Sequence, residues 1–587
     1  MPSHMVEPRP ALSGHRVSWE LIAQVFAGPV DASAMGALWD GQYSRRLLLL
    51  KILRESLSGP AEAGNRRTLD EAWHILVEAE KHAPDVVRQI LLYPSVGTWL
   101  VRAIRRIRGI VHDDVPIWVD MGYLSSIAVA AAVRAGIDVR TTAPVWHGRL
   151  NLPTVGQFEV AEDDSTRVVR LWAKDSTVFL ESGDEIWNSV AVRSIPVRVH
   201  HSTAGGHTMR WTLDDTDPYR KFDSVSPPER LGSADLESWR RKLDRAWEIL
   251  VEDHGDYVAE MLAADPVIVP MTQGGGFVAS SSSASFGAIC VAKPETPAAM
   301  AETVLHEIQH SKLNALLDLV PLQRPGPDRL CYAPWRRDPR PLGGLLHGIY
   351  AFAGVTEYWY RRWCSQPRPG DRTAAFHFVH HQNQVREALR ALGPADELTE
   401  VGTRLLEVAS ARLDACDASQ VSTDIRELAA ALSVESRLAW RMQHLEPAAD
   451  KVAQLAVHWC AGESFPDRAV QSTLRPFHRS DAGSALAGLL VARALDPDGQ
   501  AIASEARSGE REFVDRGGAE AMPAFADRVR EDPDDDGGWI GLLLSMTVHG
   551  GDEPPPPEVV SATYRRIATI GGTPPDPVTL VEWFSHR

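Results

Sequence analysis

His306, Glu307 and His310 form an H-E-x-x-H pentapeptide. On a helix, residues i and i+4 project from one face, so two imidazoles at this spacing can chelate one divalent metal ion. Chemistry at such an ion needs a third protein ligand and an open position. A metzincin would require Gly at position 313 and His at 316; both are Leu, which excludes that class. Two third ligands remain downstream: His347, in Leu345-Leu346-His347-Gly348, and Glu357, eleven residues past Leu346 and the kind of donor a gluzincin uses. Gly343, His347, Ala351 and Gly354 make a small-residue stripe at i, i+4, i+8 and i+11, which allows close helix packing and favours His347. Glu357 lies about 80° round the same helix.

The elements that must position these groups are legible around them. Thr296-Pro297 is an N-cap followed by a first-turn proline, and it opens a helix expected to run to Val320 before Pro321. Before it, the apolar segment Val267–Met271 leads into Gly274–Gly276, and Phe277–Val291 reads as extended. Its Ser280–Ser285 stretch is either an edge strand that can pair with an extended peptide or a polar loop or ordinary strand. His377, His380 and His381 lie on a later helix and carry no assigned role.

Farther out, helical periodicity over Tyr43–Leu57, Thr68–Ala83, Val96–Arg108 and Tyr123–Ala135 predicts a helical N-terminal domain, 1–140. Short Val-, Thr- and Trp-rich runs at Val168–Trp172, Val178–Glu181 and Ser194–Val199 predict antiparallel strands, and Leu236–Ala263 a helix; together they make a strand-rich region, 141–265. Asp214–Asp217 reads as a polar loop. A catalytic body, 266–450, follows, helical after Leu345, and then a helical extension, 451–587, with a vaguely tetratricopeptide-like texture and a stiff Pro554–Pro557 linker. The fold class expected is α+β, predominantly helical, with a central antiparallel strand region packed on the HExxH helix.

A net charge of −17 argues against binding to nucleic-acid backbones. The 5 cysteines never fall in C-x-x-C or a cluster-binding triplet and read as free thiols. Apolar runs such as Leu47–Leu50 and Ile127–Val133 fall short of the roughly 18 residues of a membrane span. With no signal-peptide pattern at the N-terminus, the expectation is a cytoplasmic protein without a membrane partner.

The runs HEIQHSKLNALLDLVPL (306–322) and YAPWRRDPRPLGGLLHGIYAF (332–352) resemble the 2-oxoglutarate-dependent HExxH-type peptide β-hydroxylases, bacterial enzymes that modify ribosomally made precursor peptides. The likeness extends through VDMGYLSSIAVAAAVRAGID (119–138), LPTVGQF (152–158) and LDDTDPYRKF (213–222), and so covers most of residues 16–450. Some relatives are fused to a radical SAM domain. Its three-cysteine cluster motif is missing here, so the resemblance implies a stand-alone hydroxylase, with any radical SAM maturase a separate protein.

The resemblance implies Fe(II) on His306, His310 and a third ligand, 2-oxoglutarate as co-substrate, and hydroxylation of a side-chain β-carbon in a precursor peptide. The distal carboxylate of 2-oxoglutarate calls for a guanidinium, for which Arg336 and Arg340 are the candidates, against a reading of that stretch as a solvated basic loop. Two other readings compete. A gluzincin-like zinc peptidase would use Glu307 as general base and depend on it almost completely, whereas an oxygenase would need it only to orient a ligand. A non-catalytic precursor-binding scaffold would bind no metal.

Overall fold

A computed structural model describes residues 17–57, 63–160, 166–174, 177–182, 185–188, 194–222, 224–271, 279–327, 329–365, 371–393, 396–466, 470–475, 484–497, 507–547, 553–571 and 573–585. The expected break at Gly274–Gly276 lies outside them. The chain divides into two compact units, Met1–Pro321 and Leu322–Arg587. That division falls inside the 266–450 segment and separates the HExxH helix from the helix carrying His347.

The first unit opens with helices whose starts follow from local capping. Asp31 accepts the Ala34 N–H at 2.8 Å and starts Ala32–Ser56, eleven residues earlier than the periodicity alone suggests. Proline at the first position opens Pro84–Leu92 and Pro94–Ile107. Helix Ile117–Ala135 is long and apolar enough to cross a bilayer, contrary to the reading of its apolar run as too short, but 78% of its apolar window is buried within the fold. Gly136, at φ 69°, ends it in a left-handed C-cap.

Strands follow in three sheets. Val139–Val145, Arg167–Lys174, Thr177–Ser182 and Glu185–Asn188 form one antiparallel sheet, and Arg149–Leu152, Gly156–Glu159 and Ser194–Pro196 another. The third sheet departs from the antiparallel expectation. Its order is Ala279–Ser280, Ala288–Ala292, Val267–Met271, His207–Leu213, Arg198–Ala204, and Val267–Met271 runs parallel to both of its neighbours. The cause is the connection: Ser233–Asp253 and Val258–Ala264, one continuous helix in the sequence reading, cross from His207–Leu213 back to Val267–Met271, as parallel pairing requires. Covered strands need no polar face, which explains the unbroken apolar runs VIV (267–269) and AICVA (288–292).

The second unit is built of helices, led by the hairpin Leu342–Ser365 and Arg372–Leu392. A short ribbon, Leu330–Cys331 with Arg340–Pro341, precedes the first of these helices, and a second, Leu445–Pro447 with Ser472–Leu474, interrupts the helical expectation after Leu345. The second begins where helix Thr423–His444 stops, because Pro447 cannot continue a helix. In the tail, Asp535 accepts the Gly538 N–H at 3.1 Å as helix Asp536–Thr547 begins, and receives Arg528 through two nitrogens. Residues 554–556 are irregular, and Pro557, read as the end of a linker, is instead the buried first residue of a helix.

Candidate metal centre

Thr296 caps the HExxH helix as expected, its Oγ1 accepting the Ala299 N–H at 3.1 Å, with Pro297 at the first position; the helix ends at Leu317. It packs chiefly on helix Ser233–Asp253 and also on Ala32–Ser56, while Ala279–Ser280 and the Ser283–Ser285 turn reach its flank. The imidazoles of His306 and His310 meet edge to face, ring centroids 4.6 Å apart. Burial pushes the pKa of His306 down to about 4, so its ring is neutral at physiological pH, the form that ligates metals. The two rings are half-buried, and the stripe they begin runs on to Leu313, which is wholly buried.

Glu307, between them in the sequence, is 2% exposed. Burial pushes its pKa up to about 7 against the opposing pull of a hydrogen bond with Ser281, and its Oε2 has no hydrogen-bond partner among the described residues. Ser281 thus ties the Ser-rich segment to the HExxH helix at the one acid of the motif.

The other side of the helix is fastened by a buried ion pair that the sequence reading did not find. Lys312 and Glu260, both fully buried, meet at 2.8 Å; Lys312 also donates to the Gly28 carbonyl at 2.7 Å. Glu260 further accepts the Val30 N–H at 2.7 Å and Gln309 Nε2 at 3.2 Å, so both its oxygens are used. Removing one partner strands the other charge in the core. Lys312→Met is therefore expected to destabilise the first unit by about 3–5 kcal/mol, and adding Glu260→Gln to recover part of the loss. A urea-denaturation double-mutant cycle checks this; strictly additive losses would contradict it.

In the second unit His347 is half-buried, and burial brings its pKa to about 4 as well, leaving a neutral donor. One residue along, the Trp335 ring lies so tightly on Gly348 that a Cβ there would overlap it. Trp335 then stacks on Phe352, centroids 4.8 Å apart. Glu357 is held by Arg412 through two bonds of 2.8 Å, so ligating a metal would mean giving up a bidentate ion pair. Arg336 and Arg340 both bind Asp338, at 2.7 and 3.2 Å, in a half-exposed loop. His377 stacks on Trp359 and on His381, with centroids at 4.6 and 5.9 Å, and His380 stacks on Phe376, so all three imidazoles serve as packing rings.

Among the described residues, no three His, Cys, Asp or Glu side chains stand together as a ready-made metal site. The pair His306 and His310 offers two imidazoles from one helix face, a donor set that suits Fe(II) or Zn(II).

The polar loop of the sequence reading is instead interior. Asp214, Asp215, Thr216 and Asp217 are each at most 3% exposed. Asp217 Oδ2 accepts from Tyr123 at 2.6 Å, Asn151 at 2.8 Å and Ser95 at 2.9 Å, and Asp214 accepts from Tyr93 at 2.8 Å. Tyr219 donates to Asp120 at 2.6 Å, and Gln157 Nε2 reaches the Thr216 carbonyl at 3.4 Å. The segments 119–138, 152–158 and 213–222 thus converge in one hydrogen-bonded network. A hint was present: aspartates interleaved with Thr, Pro and Tyr directly after the apolar end of a strand.

No family model matches the chain, and no curated protein is detectably similar to it.

Proposed function

We propose that the protein is an Fe(II)- and 2-oxoglutarate-dependent hydroxylase that modifies a side-chain β-carbon of a ribosomally made peptide. The observation that supports this best is the edge-to-face His306–His310 pair, with His306 held neutral, on one well-anchored helix. His306 and His310 would hold the iron, with the third ligand drawn from His347 or Glu357; the bidentate commitment of Glu357 to Arg412 favours His347. Bound iron, with 2-oxoglutarate and O2, supplies the oxidant for C–H hydroxylation. The chain's own part is to orient the imidazoles and to keep His306 neutral. Glu307, fixed through Ser281, would orient a group at the metal.

One observation favours a second reading. A buried carboxyl raised to about 7, with one oxygen unpartnered, is suited to act as the general base of a zinc peptidase. The decisive experiment is anaerobic addition of Fe(II) and then 2-oxoglutarate to the purified protein. The expected result is the visible charge-transfer band of the chelate, weakened only in part by Glu307→Gln. Absence of the band, tightly held zinc, and peptide cleavage lost in Glu307→Gln would establish the peptidase instead.

A further inference from the structure

Arg46 lies wholly buried on helix Ala32–Ser56, where that helix meets Pro94–Ile107 and the Ser283–Ser285 turn. Its Nη1 donates to the Ala284 carbonyl at 2.7 Å. Its Nε and Nη2 have no partner among the described residues. These two nitrogens lie on one edge of the guanidinium, and a carboxylate fits that edge with two parallel hydrogen bonds.

The chain itself shows what the edge is for. Arg412 fills it with Glu357 at 2.8 and 2.8 Å, Arg528 with Asp535 at 2.8 and 3.0 Å, and Arg441 with Glu558 at 3.1 and 2.5 Å. At Arg46 no carboxylate among the described residues does so. Asp318, the nearby acid that favours its charge, is engaged by Gln42 at 2.8 Å and Arg45 at 3.2 Å. Burial and the charge of Arg45 bring the pKa of Arg46 down to about 9. A cation this enclosed, with two donors unmatched, lacks its counter-charge.

Gly97 fits the same picture, since a Cβ there would overlap both the guanidinium and the Ala284 carbonyl. The cover of the site is the turn whose Ser283 and Ala284 carbonyls are held by Arg45 and Arg46. The same short segment carries Ser281, the partner of Glu307.

We propose that the Nε–Nη2 edge of Arg46 is a carboxylate-binding subsite, occupied by the distal carboxylate of a small dicarboxylic acid. The identity of that acid as 2-oxoglutarate rests on the function proposed above; the subsite itself does not. Arg46, rather than Arg336 or Arg340, then receives the co-substrate's distal end.

Glutarate tests this without metal, because it lacks the keto group needed for chelation. Isothermal titration of the EDTA-treated full-length protein is expected to show glutarate binding. Arg46→Lys keeps the charge but loses the edge, so it should bind about 10- to 100-fold more weakly. Arg336→Ala/Arg340→Ala should bind as the wild type does. Unaltered affinity in a folded Arg46→Lys variant, or no glutarate binding by the wild type, overturns the proposal. Should Arg46→Lys fail to fold, crystals of the wild type grown with glutarate decide: a carboxylate on Nε and Nη2 supports the subsite, and water alone there refutes it. Glutarate bound at Arg46 in a protein that gives no Fe(II)–2-oxoglutarate band would retire the hydroxylase reading and leave the subsite standing.

Discussion

His306→Ala and His310→Ala are each expected to abolish the Fe(II)–2-oxoglutarate band and, with it, turnover of any peptide substrate. Loss of a residue that merely orients a ligand typically costs about 10- to 100-fold in metal affinity, so loss of a ligand should exceed that range. The fold should survive either change, because both rings are half-buried and the helix is anchored elsewhere, through Lys312, Glu260 and its buried apolar face. Metal content after anaerobic loading, read beside a thermal melt, separates the two effects. A His306→Ala variant that melts normally and still binds iron tightly would remove the pair from the site. The same titration assigns the third ligand: His347→Ala should behave like the other two. Glu357→Gln should keep the band and lose stability, since it weakens the pair with Arg412.

Much of the frame around this pair was legible because its signals are local. Thr296 and Pro297 fix the start of the HExxH helix through one cap bond and one missing N–H, and neither depends on the rest of the chain. Alternation did the same for Arg167–Lys174, whose outer faces are exposed and inner faces buried. What escaped was made by distant partners. Arg46 sits between Arg45 and a run of leucines in an ordinary helical pattern, and nothing nearby announces that its guanidinium ends beside Gly97 and Ala284. Lys312 reads as a surface lysine until Gly28 and Glu260 are brought to it. Parallel pairing of Val267–Met271 likewise depends on a crossover that no window of sequence contains.

The Asp214–Asp217 segment shows the same limit with the largest energetic consequence. Composition marks it as solvent-exposed, yet its acceptors are met by hydroxyls and an amide from Tyr93, Ser95, Tyr123 and Asn151. Burial keeps both tyrosines protonated by raising their pKa values well above the ordinary phenol range, so they remain donors. Asp217→Ala would leave Tyr123, Ser95, Asn151 and the Tyr219 N–H without their acceptor. Each unmatched buried donor costs about 1–3 kcal/mol, so the expected loss is on the order of 5 kcal/mol or more, comparable with the entire stability of many domains. The first unit of this variant should be largely unfolded at room temperature, and a wild-type-like urea midpoint would contradict the network's importance.

The pH dependence of the same residue has an unusual sign. Burial, and then the neighbouring charge of Asp214, raise the pKa of Asp217 to about 6, above the roughly 3.9 of an unfolded aspartate. Between those values the folded state binds more protons than the unfolded state, so this group's contribution to stability falls as pH rises from about 4 to 6 and is constant above. The drop amounts to about 3 kcal/mol, at about 1.4 kcal/mol per pKa unit. Asp217→Asn cannot titrate, so its stability deficit relative to the wild type should be widest near pH 4 and narrow by a similar amount towards pH 7. Urea denaturation of both proteins at the two pH values measures it. A deficit that stays constant would mean that the donors around Asp217, rather than burial and Asp214, set its charge.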